Sequence, residues 1–115
     1  MKFSLLVALL ADELEEKAVE SAREAGACGV TILNGRGIGA EEKKTFFGLT
    51  YEGSQSVLLF VLERKLSVTV LKALTRDLEL DRHSKGVVFT LPMEHTAGLD
   101  TEQILRFQEQ IKSDI

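Results

Sequence analysis

Four apolar runs divide the chain into candidate strands. Residues 2–10 read KFSLLVALL, and the segments CGVTILN (28–34), SQSVLLFVLER (54–64) and KGVVFTLP (85–92) follow. Runs of this length and continuity indicate strands that are covered on at least one face, and the first is apolar enough for a central position. Pro92, the only proline, is expected to stop the fourth strand.

Helical periodicity separates these runs. The first helix is predicted to begin at Asp12, with Glu15 three residues on as in a capping box, and to end at Gly26. Its apolar stripe is thin, which predicts close packing on a sheet. The stripe consists of Leu14, Ala18, Ala22 and Ala25.

Two more helices are predicted further along the chain. One begins at about Ser67, and its apolar face consists of Val68, Leu71, Leu74 and Leu78. The other follows Asp100 and Gln103, which resemble a second capping box. The apolar face of this terminal helix consists of Ile104, Phe107 and Ile111.

The order of elements is strand, helix, strand, strand, helix, strand, helix. This is the split βαβ pattern of a ferredoxin-like α+β sandwich (βαββαβ), here with an antiparallel sheet and an added C-terminal helix in one domain over residues 1–115. Both main helices cover the same face of such a sheet. The strands are too apolar for the other face to contact water, so we expect it to be buried against other copies in a closed oligomer.

Composition and charge limit the classes of partner. The 115 residues carry a net charge of −4 with interspersed signs, so no basic stripe marks a nucleic-acid interface. A single cysteine, Cys28, cannot form an internal disulfide, and we expect a cytoplasmic protein. The opening run could also start a secretion signal, but Asp12 and Glu13 stand where a cleavage site should be. No apolar stretch approaches the roughly 20 residues that span a bilayer, so direct membrane insertion is not expected.

A long connection of about residues 36–55 contains the segment NGRGIGA and separates the second and third strands. The segment formally matches a dinucleotide fingerprint, but a hairpin return follows where that motif needs a helix and a parallel strand. Two interpretations of Gly35, Gly37 and Gly39 stay open. They let the backbone approach a phosphate or carboxylate, with Arg36 adding charge, or they let a strand bend before a loop.

Aromatic residues in the same connection raise a similar choice. Phe46 and Phe47 are adjacent, so in a strand one of them would face water. These two residues and Tyr51 either fold back on the domain or form an apolar contact for a partner.

Candidate catalytic and metal-binding residues are sparse. His83 and His95 are the only histidines, and neither a nucleophile turn nor an orienting acid accompanies them. Cys28 and Glu94 complete the set of conceivable metal ligands, but they lack the close spacing of a metal motif. We therefore predict neither an enzyme nor a resident metal.

The run AREAGACGVTILNGRGIG (22–39), followed by a loop and YEGSQSVLLFVL (51–62), resembles the PII nitrogen regulatory protein family. Members have a helix that ends at Gly-x-x-Gly-x-Thr, a second strand, a Gly-x-Gly, a long projecting loop and a Tyr-x-Gly before the third strand. The matching residues are Gly26, Gly29, Thr31, Gly37, Gly39, Tyr51 and Gly53.

The resemblance implies a homotrimer whose sheets line its centre, with nucleotide clefts between subunits and a loop that docks on a membrane transporter or another regulated protein. We favour an adenine nucleotide (ATP, ADP or AMP) as the effector, with cyclic AMP, 2-oxoglutarate and bicarbonate as open alternatives. Leu49 joins the aromatic residues named above among the partner contacts. The residues implied at the cleft are Thr31, Gly35, Arg36, Gly37, Gly39, Glu41, Lys85 and Gly86.

Two departures from the family pattern make this a divergent member. The stretch LELDRHSKG (78–86) stands where typical members have Thr-Gly-x-x-Gly-x-Gly-Lys, and PMEHTAGLD (92–100) lacks their arginines. Without bidentate arginines we do not expect tight triphosphate binding. The alternative hypothesis is a trimeric metal-binding protein that resembles the divalent-cation tolerance proteins, and a small ferredoxin-like enzyme is the least supported.

Overall fold

A computed structural model describes residues 2–36, 45–46, 49–50, 54–82 and 85–99 of the chain. The elements along these residues are β1 (Phe3–Ala11), a 3-10 turn (Asp12–Leu14), α1 (Glu15–Glu24), β2 (Thr31–Arg36), β3 (Thr45–Phe46), β4 (Leu49–Thr50), β5 (Ser54–Glu63), α2 (Arg64–Asp77) and β6 (Gly86–Met93). The predicted terminal helix after Asp100 lies outside the described residues.

The main sheet has the strand order β2-β5-β1-β6, and every neighbouring pair is antiparallel. The predicted ferredoxin-like α+β fold is therefore confirmed. Strands β5 and β1 are central, whereas β2 and β6 form the two edges. Strands β3 and β4 pair with each other in a short hairpin within the long connection, which the sequence pattern did not predict.

The core lies between this sheet and the two helices. Alternate residues of the central strands point toward the helices, and Leu6 pairs in register with Phe60 on this side. The alanine stripe of α1 packs here as predicted, which lets the helix lie close to the sheet. The fully buried members of this core include Leu6, Leu10, Leu58, Val70, Leu74, Ala18 and Ala22.

The opposite face of the sheet, which we call the open face, is also apolar. Its residues alternate with the core positions, and they include Leu5, Leu9, Val57, Leu59 and Val61 from the central strands. Toward the edges, Leu33 is 48% exposed, Phe89 38% and Leu91 49%. Helices α1 and α2 pack against the other face, in agreement with the sequence prediction of one uncovered apolar face.

The predicted capping box at the start of the first helix is wrong. The chain leaves β1 through a 3-10 turn, and neither that turn nor α1 has a side-chain cap. The carboxylates of Asp12 and Glu15 instead accept hydrogen bonds from serines of β5. The sequence pattern could not distinguish these two uses, because a capping box and a tertiary contact need the same residue types.

The second helix begins before the predicted Ser67. Glu63 caps it, since its side-chain oxygen accepts hydrogen bonds from the backbone nitrogens of Lys65 and Leu66 at 3.0 and 3.1 Å. The predicted apolar face is partly wrong, because Val68 is 47% exposed. The buried residues of α2 are Ser67, Val70, Ala73 and Leu74.

Two element ends also test the sequence predictions. Gly26 ends α1 as predicted: its φ is +120°, and the backbone nitrogens of Gly26 and Ala27 donate to the carbonyls of Arg23 and Ala22. Pro92 does not stop β6, which continues to Met93. Proline is tolerated there because β6 is an edge strand.

The remaining boundaries agree closely with the sequence pattern. Strand β2 occupies Thr31–Arg36, so the predicted start at Cys28 was three residues too early, while β5 begins at Ser54 as expected. Neither of the two described α-helices combines the length and the apolar character that crossing a bilayer requires.

Candidate functional site

One end of the sheet, which we call the loop end, holds Gly35, Arg36, Lys85 and Gly86, whereas the predicted cleft residue Thr31 lies at the other end of β2, opposite Leu59. Strands β1 and β2 finish at the loop end, and β5 and β6 start there. The register places Arg36 opposite Ser54 and Leu10 opposite Gly86, so both sides of the long connection and the start of β6 lie on this end.

A hydrogen-bonded group of serines and carboxylates holds the loop end together. The fully buried Ser56 hydroxyl lies 2.9 Å from Asp12 Oδ1 and 2.7 Å from Glu15 Oε1. The hydroxyl of Ser54 donates to the other oxygen of Asp12. A hydroxyl has one hydrogen, so Ser56 donates to one carboxylate at a time. This arrangement ties the first residues of β5 to the turn that follows β1.

Sequence reasoning missed this group. Its only signal was the pair of serines in SQSVLLFVL, where polar residues interrupt an otherwise apolar strand. A buried hydroxyl needs a hydrogen-bond partner, but the sequence does not say which carboxylate supplies it.

Gln55 lies between these two serines in sequence and points to the open face. It pairs in register with Ala11 on one side and Gly35 on the other, both of which have small or absent side chains. The residue is 7% exposed, and among the residues described its Nε2 atom has no hydrogen-bond partner. Because a buried unsatisfied donor is costly, an acceptor from outside the described chain is expected.

Three of the predicted cleft residues lie on β2, at one edge of the sheet. Thr31 and Arg36 are exposed, and Gly35 is half-buried. A Cβ atom at Gly35 would lie 3.6 Å from Val57 Cγ2, an ordinary van der Waals contact. No described residue therefore requires glycine at this position, which leaves open the interpretation that a ligand approaches the backbone.

The other two described cleft residues lie on the opposite edge. Lys85 is exposed, and its ammonium group pairs with Glu13 at 2.8 Å. Its carbonyl oxygen accepts a hydrogen bond from the Ala11 nitrogen at 2.9 Å. Gly86 has a packing role, because a Cβ there would come within 2.5 Å of Leu10 Cδ2.

The remaining predicted residues lie outside the description or have only their backbone described. Gly37, Gly39, Glu41, Phe47 and Tyr51 fall outside the described residues. Phe46 and Leu49 belong to β3 and β4, where they are paired in register.

Among the described residues, the two groups of predicted cleft residues lie on opposite edges of the sheet. Strands β2 and β6 are separated by the two central strands, so at about 4.8 Å per spacing the edges lie roughly 14 Å apart. Arg36 and Lys85 thus present positive charges on opposite sides of the loop end.

Asp77 forms a polar contact between the two helices. Asp77 on α2 accepts hydrogen bonds from Arg76 Nε at 2.9 Å and from the Ser21 hydroxyl on α1 at 2.7 Å. These two hydrogen bonds lower the pKa of the Asp77 carboxyl below its ordinary value. The contact fixes the packing of α2 on α1.

Metal-binding chemistry has little support in the described part of the chain. No group of three or more His, Cys, Asp or Glu side chains there is arranged to hold an ion. Cys28 and His95 are exposed, and His83 lies outside the description.

The fold and its loop end define a ferredoxin-like α+β domain with a long connection between its second and third main strands. The family model of nitrogen regulatory protein P-II matches residues 3–103. The chain therefore belongs to the P-II family, as its motifs indicated.

Solved structures share this fold. CPII from Thiomonas intermedia K12, bound to ADP, AMP and acetate, is 18% identical, with a TM-score of 0.63 over 84% of this chain and 90% of that one. The same protein, a nitrogen regulatory PII-like protein, bound to ADP, AMP and bicarbonate has 19% identity and a TM-score of 0.62, over 86% and 98%. A DUF3240 family protein from Shewanella baltica OS155 has 16% identity and a TM-score of 0.63, over 87% and 99%. No curated protein matches the chain significantly.

Proposed function

We propose that this protein is a regulator that binds an adenine nucleotide in clefts between the subunits of a homotrimer. It controls a target protein, such as a membrane transporter, through its long connection. In this proposal the nucleotide is a signal and no reaction is catalysed. The family assignment supports the regulatory role.

The observation that carries the proposal is the separation of the cleft residues. Arg36 lies on one edge of the sheet and Lys85 on the other, although both lie at the loop end. Within one subunit the two strands that lead to these residues are roughly 14 Å apart. When neighbouring subunits place the β2 edge of one beside the β6 edge of the next, the two cations face the same cleft.

Features of the open face support the trimer. Exposed Leu33, Phe89 and Leu91 form a broad apolar surface that a symmetric assembly would bury. The buried Nε2 of Gln55 lies on the same face, and an acceptor from a neighbouring subunit would recover the roughly 1–3 kcal/mol that an unsatisfied donor costs.

The charges at the loop end fit a nucleotide of low phosphate number. Arg36 and Lys85 provide two cationic groups, and the family's phosphate-wrapping glycine stretch is absent from residues 78–86. Two charges suit a monophosphate or diphosphate better than a triphosphate. The ligands of CPII, which are ADP and AMP with acetate or bicarbonate, belong to this class.

The outer part of the connection is proposed as the docking segment. Phe46, Phe47, Leu49 and Tyr51 supply its apolar contacts, because aromatic residues in an interface contribute more binding free energy than most others. The transporter or other target binds this segment according to the nucleotide held at its base, as in other ligand-ordered switch loops.

A complementation experiment tests the intersubunit site. Arg36→Gln and Lys85→Met should each weaken ADP binding by roughly tenfold or more in calorimetry, because each removes a charged hydrogen bond to phosphate. Mixed oligomers, refolded from equal amounts of the two variants, contain some clefts with both native residues. We expect these clefts to bind ADP with the affinity of the wild type.

The control is a preparation refolded from each variant alone. If the mixed oligomers bind ADP no better than these controls, the two residues do not share a cleft and the intersubunit site is wrong.

A further inference from the structure

Lys85, which we propose to bind a phosphate group of the nucleotide, already forms an ion pair with the carboxylate of Glu13. The ammonium nitrogen lies 2.8 Å from Glu13 Oε1, and both side chains remain at least half exposed. A phosphate oxygen and a carboxylate oxygen compete for the positive charge of the same ammonium group. Both groups are also accessible to a ligand from solvent.

Other hydrogen bonds hold the backbone on each side of the ion pair. Glu13 belongs to the 3-10 turn that follows β1, and its neighbour Asp12 accepts hydrogen bonds from Ser54 and Ser56. On the lysine side, the Lys85 carbonyl accepts a hydrogen bond from Ala11. These hydrogen bonds fix the backbone positions of both residues of the ion pair at the loop end.

We infer that Glu13 is an internal competitor of the effector: the phosphate of a bound nucleotide competes with the Glu13 carboxylate for Lys85. This inference rests on the proposed function, and it assigns to Glu13 the role of setting the affinity. The carboxylate acts by occupying the ammonium group before the nucleotide binds. Nucleotide affinity is therefore held below the value that the site would have without Glu13.

The expected size of the effect follows from the exposure of the pair. An exposed ion pair contributes little, so removing the competitor should tighten binding by about two- to fivefold. Because the interaction is between exposed charges, the gain should be larger at low ionic strength and shrink as salt is added.

Calorimetric titration with ADP of the full chain and four variants tests the inference. The variants are Glu13→Gln, Glu16→Gln, Lys85→Met and the double variant Glu13→Gln, Lys85→Met. Glu16 is the matched control, because it is an exposed glutamate three residues further along, at the start of α1. Its replacement changes the net charge by the same amount.

We expect Glu13→Gln to bind ADP about two- to fivefold more tightly than the wild type, and Glu16→Gln to bind like the wild type. In the Lys85→Met background the Glu13 substitution should have no effect. Equal gains from Glu13→Gln and Glu16→Gln, or a gain that persists without Lys85, would overturn the competitor. A wild type that binds neither ADP nor AMP would instead overturn the proposed function itself, together with the inference drawn from it.

Discussion

At the scale of single residues, the two described glycines of the predicted cleft differ in their packing. Gly86 lies against the core at the start of β6, where a methyl group would meet Leu10 at 2.5 Å and the Leu9 carbonyl oxygen at 3.3 Å. Leu10 is fully buried, so it cannot move aside freely. At Gly35 the nearest atom would be 3.6 Å away. A glycine motif in a sequence does not distinguish packing from ligand approach.

We predict that Gly86→Ala destabilises the protein by about 1–3 kcal/mol, because the added methyl group overpacks the site against buried Leu10. Gly35→Ala is the matched control and should change stability by less than about 0.5 kcal/mol. Urea denaturation of the two variants measures the difference. Equal stability of the two variants would show that the start of β6 is looser than the structure indicates.

A second residue-scale prediction concerns Asp77. Hydrogen bonds from Arg76 and Ser21 lower the pKa of its carboxyl in the folded state, so the ionised form contributes stability. That contribution is complete above the unfolded pKa of about 3.9 and is lost as the pH falls through the lower folded pKa. Asp77→Asn should therefore cost about 0.5–1 kcal/mol at pH 7, and the difference from wild type should vanish in strong acid.

Thermal melts between pH 7 and pH 2 measure this difference. Asp81→Asn, which removes an exposed carboxylate from the turn after α2, controls for the loss of one charge. A difference in stability between Asp77→Asn and wild type that stays constant down to the lowest pH would show that ionisation of Asp77 does not stabilise the fold.

At the scale of elements, the sequence predicts the order of strands and helices but assigns the N-terminal cap of the first helix wrongly. The order of elements along the chain follows from apolar runs and periodicity. Apolar alternation also fixes the register, because a one-residue slip would turn Leu6 or Phe60 away from the core. Caps depend on single polar side chains. Asp12 matched a capping motif, but its carboxylate accepts a hydrogen bond from Ser54 of β5. Glu63, which is not one of the residue types preferred at an N-cap, caps α2.

The cap of α2 gives an element-scale prediction. Glu63→Ala removes the acceptor for the backbone nitrogens of Lys65 and Leu66 and should destabilise the protein by about 1 kcal/mol. Glu63→Gln keeps an acceptor oxygen and should retain most of that stability. Urea midpoints of the two variants decide the matter. If alanine and glutamine have the same effect, the side-chain oxygen does not stabilise the helix.

At the scale of the whole molecule, the sequence predicts that the sheet face opposite the helices is covered by other copies, but it does not identify the residues in contact. The apolar alternation of β1, β5 and β6 already implied a second buried face, and the structure places Leu33, Phe89 and Leu91 there. Which strands form the two edges of the sheet depends on pairing between residues that are far apart in the chain. Periodicity carries no information about such pairing, so the separation of Arg36 from Lys85 emerged only from the fold.

The docking segment provides a further prediction at this scale. A Phe46→Ala, Phe47→Ala double variant should lose at least tenfold in affinity for its target, because two aromatic contacts are removed from the interface. Its oligomeric state and ADP affinity should be unchanged. The matched control is Lys43→Ala, Lys44→Ala, which alters the same connection but leaves its apolar residues in place.

Quantitative pull-down from cell extract with the wild type identifies the target, and the two double variants are then compared on it. Target capture by the phenylalanine variant at the wild-type level would remove these side chains from the proposed interface.

The central claim is that the nucleotide cleft exists only in an assembly of three chains. Native mass spectrometry with ADP tests this claim most directly, because it reports the number of chains and of bound nucleotides in the same particle. The account predicts a trimer that binds up to one ADP per subunit, with no ADP on any monomer present. ADP bound to a monomer, or a trimer that takes up no nucleotide, would contradict it.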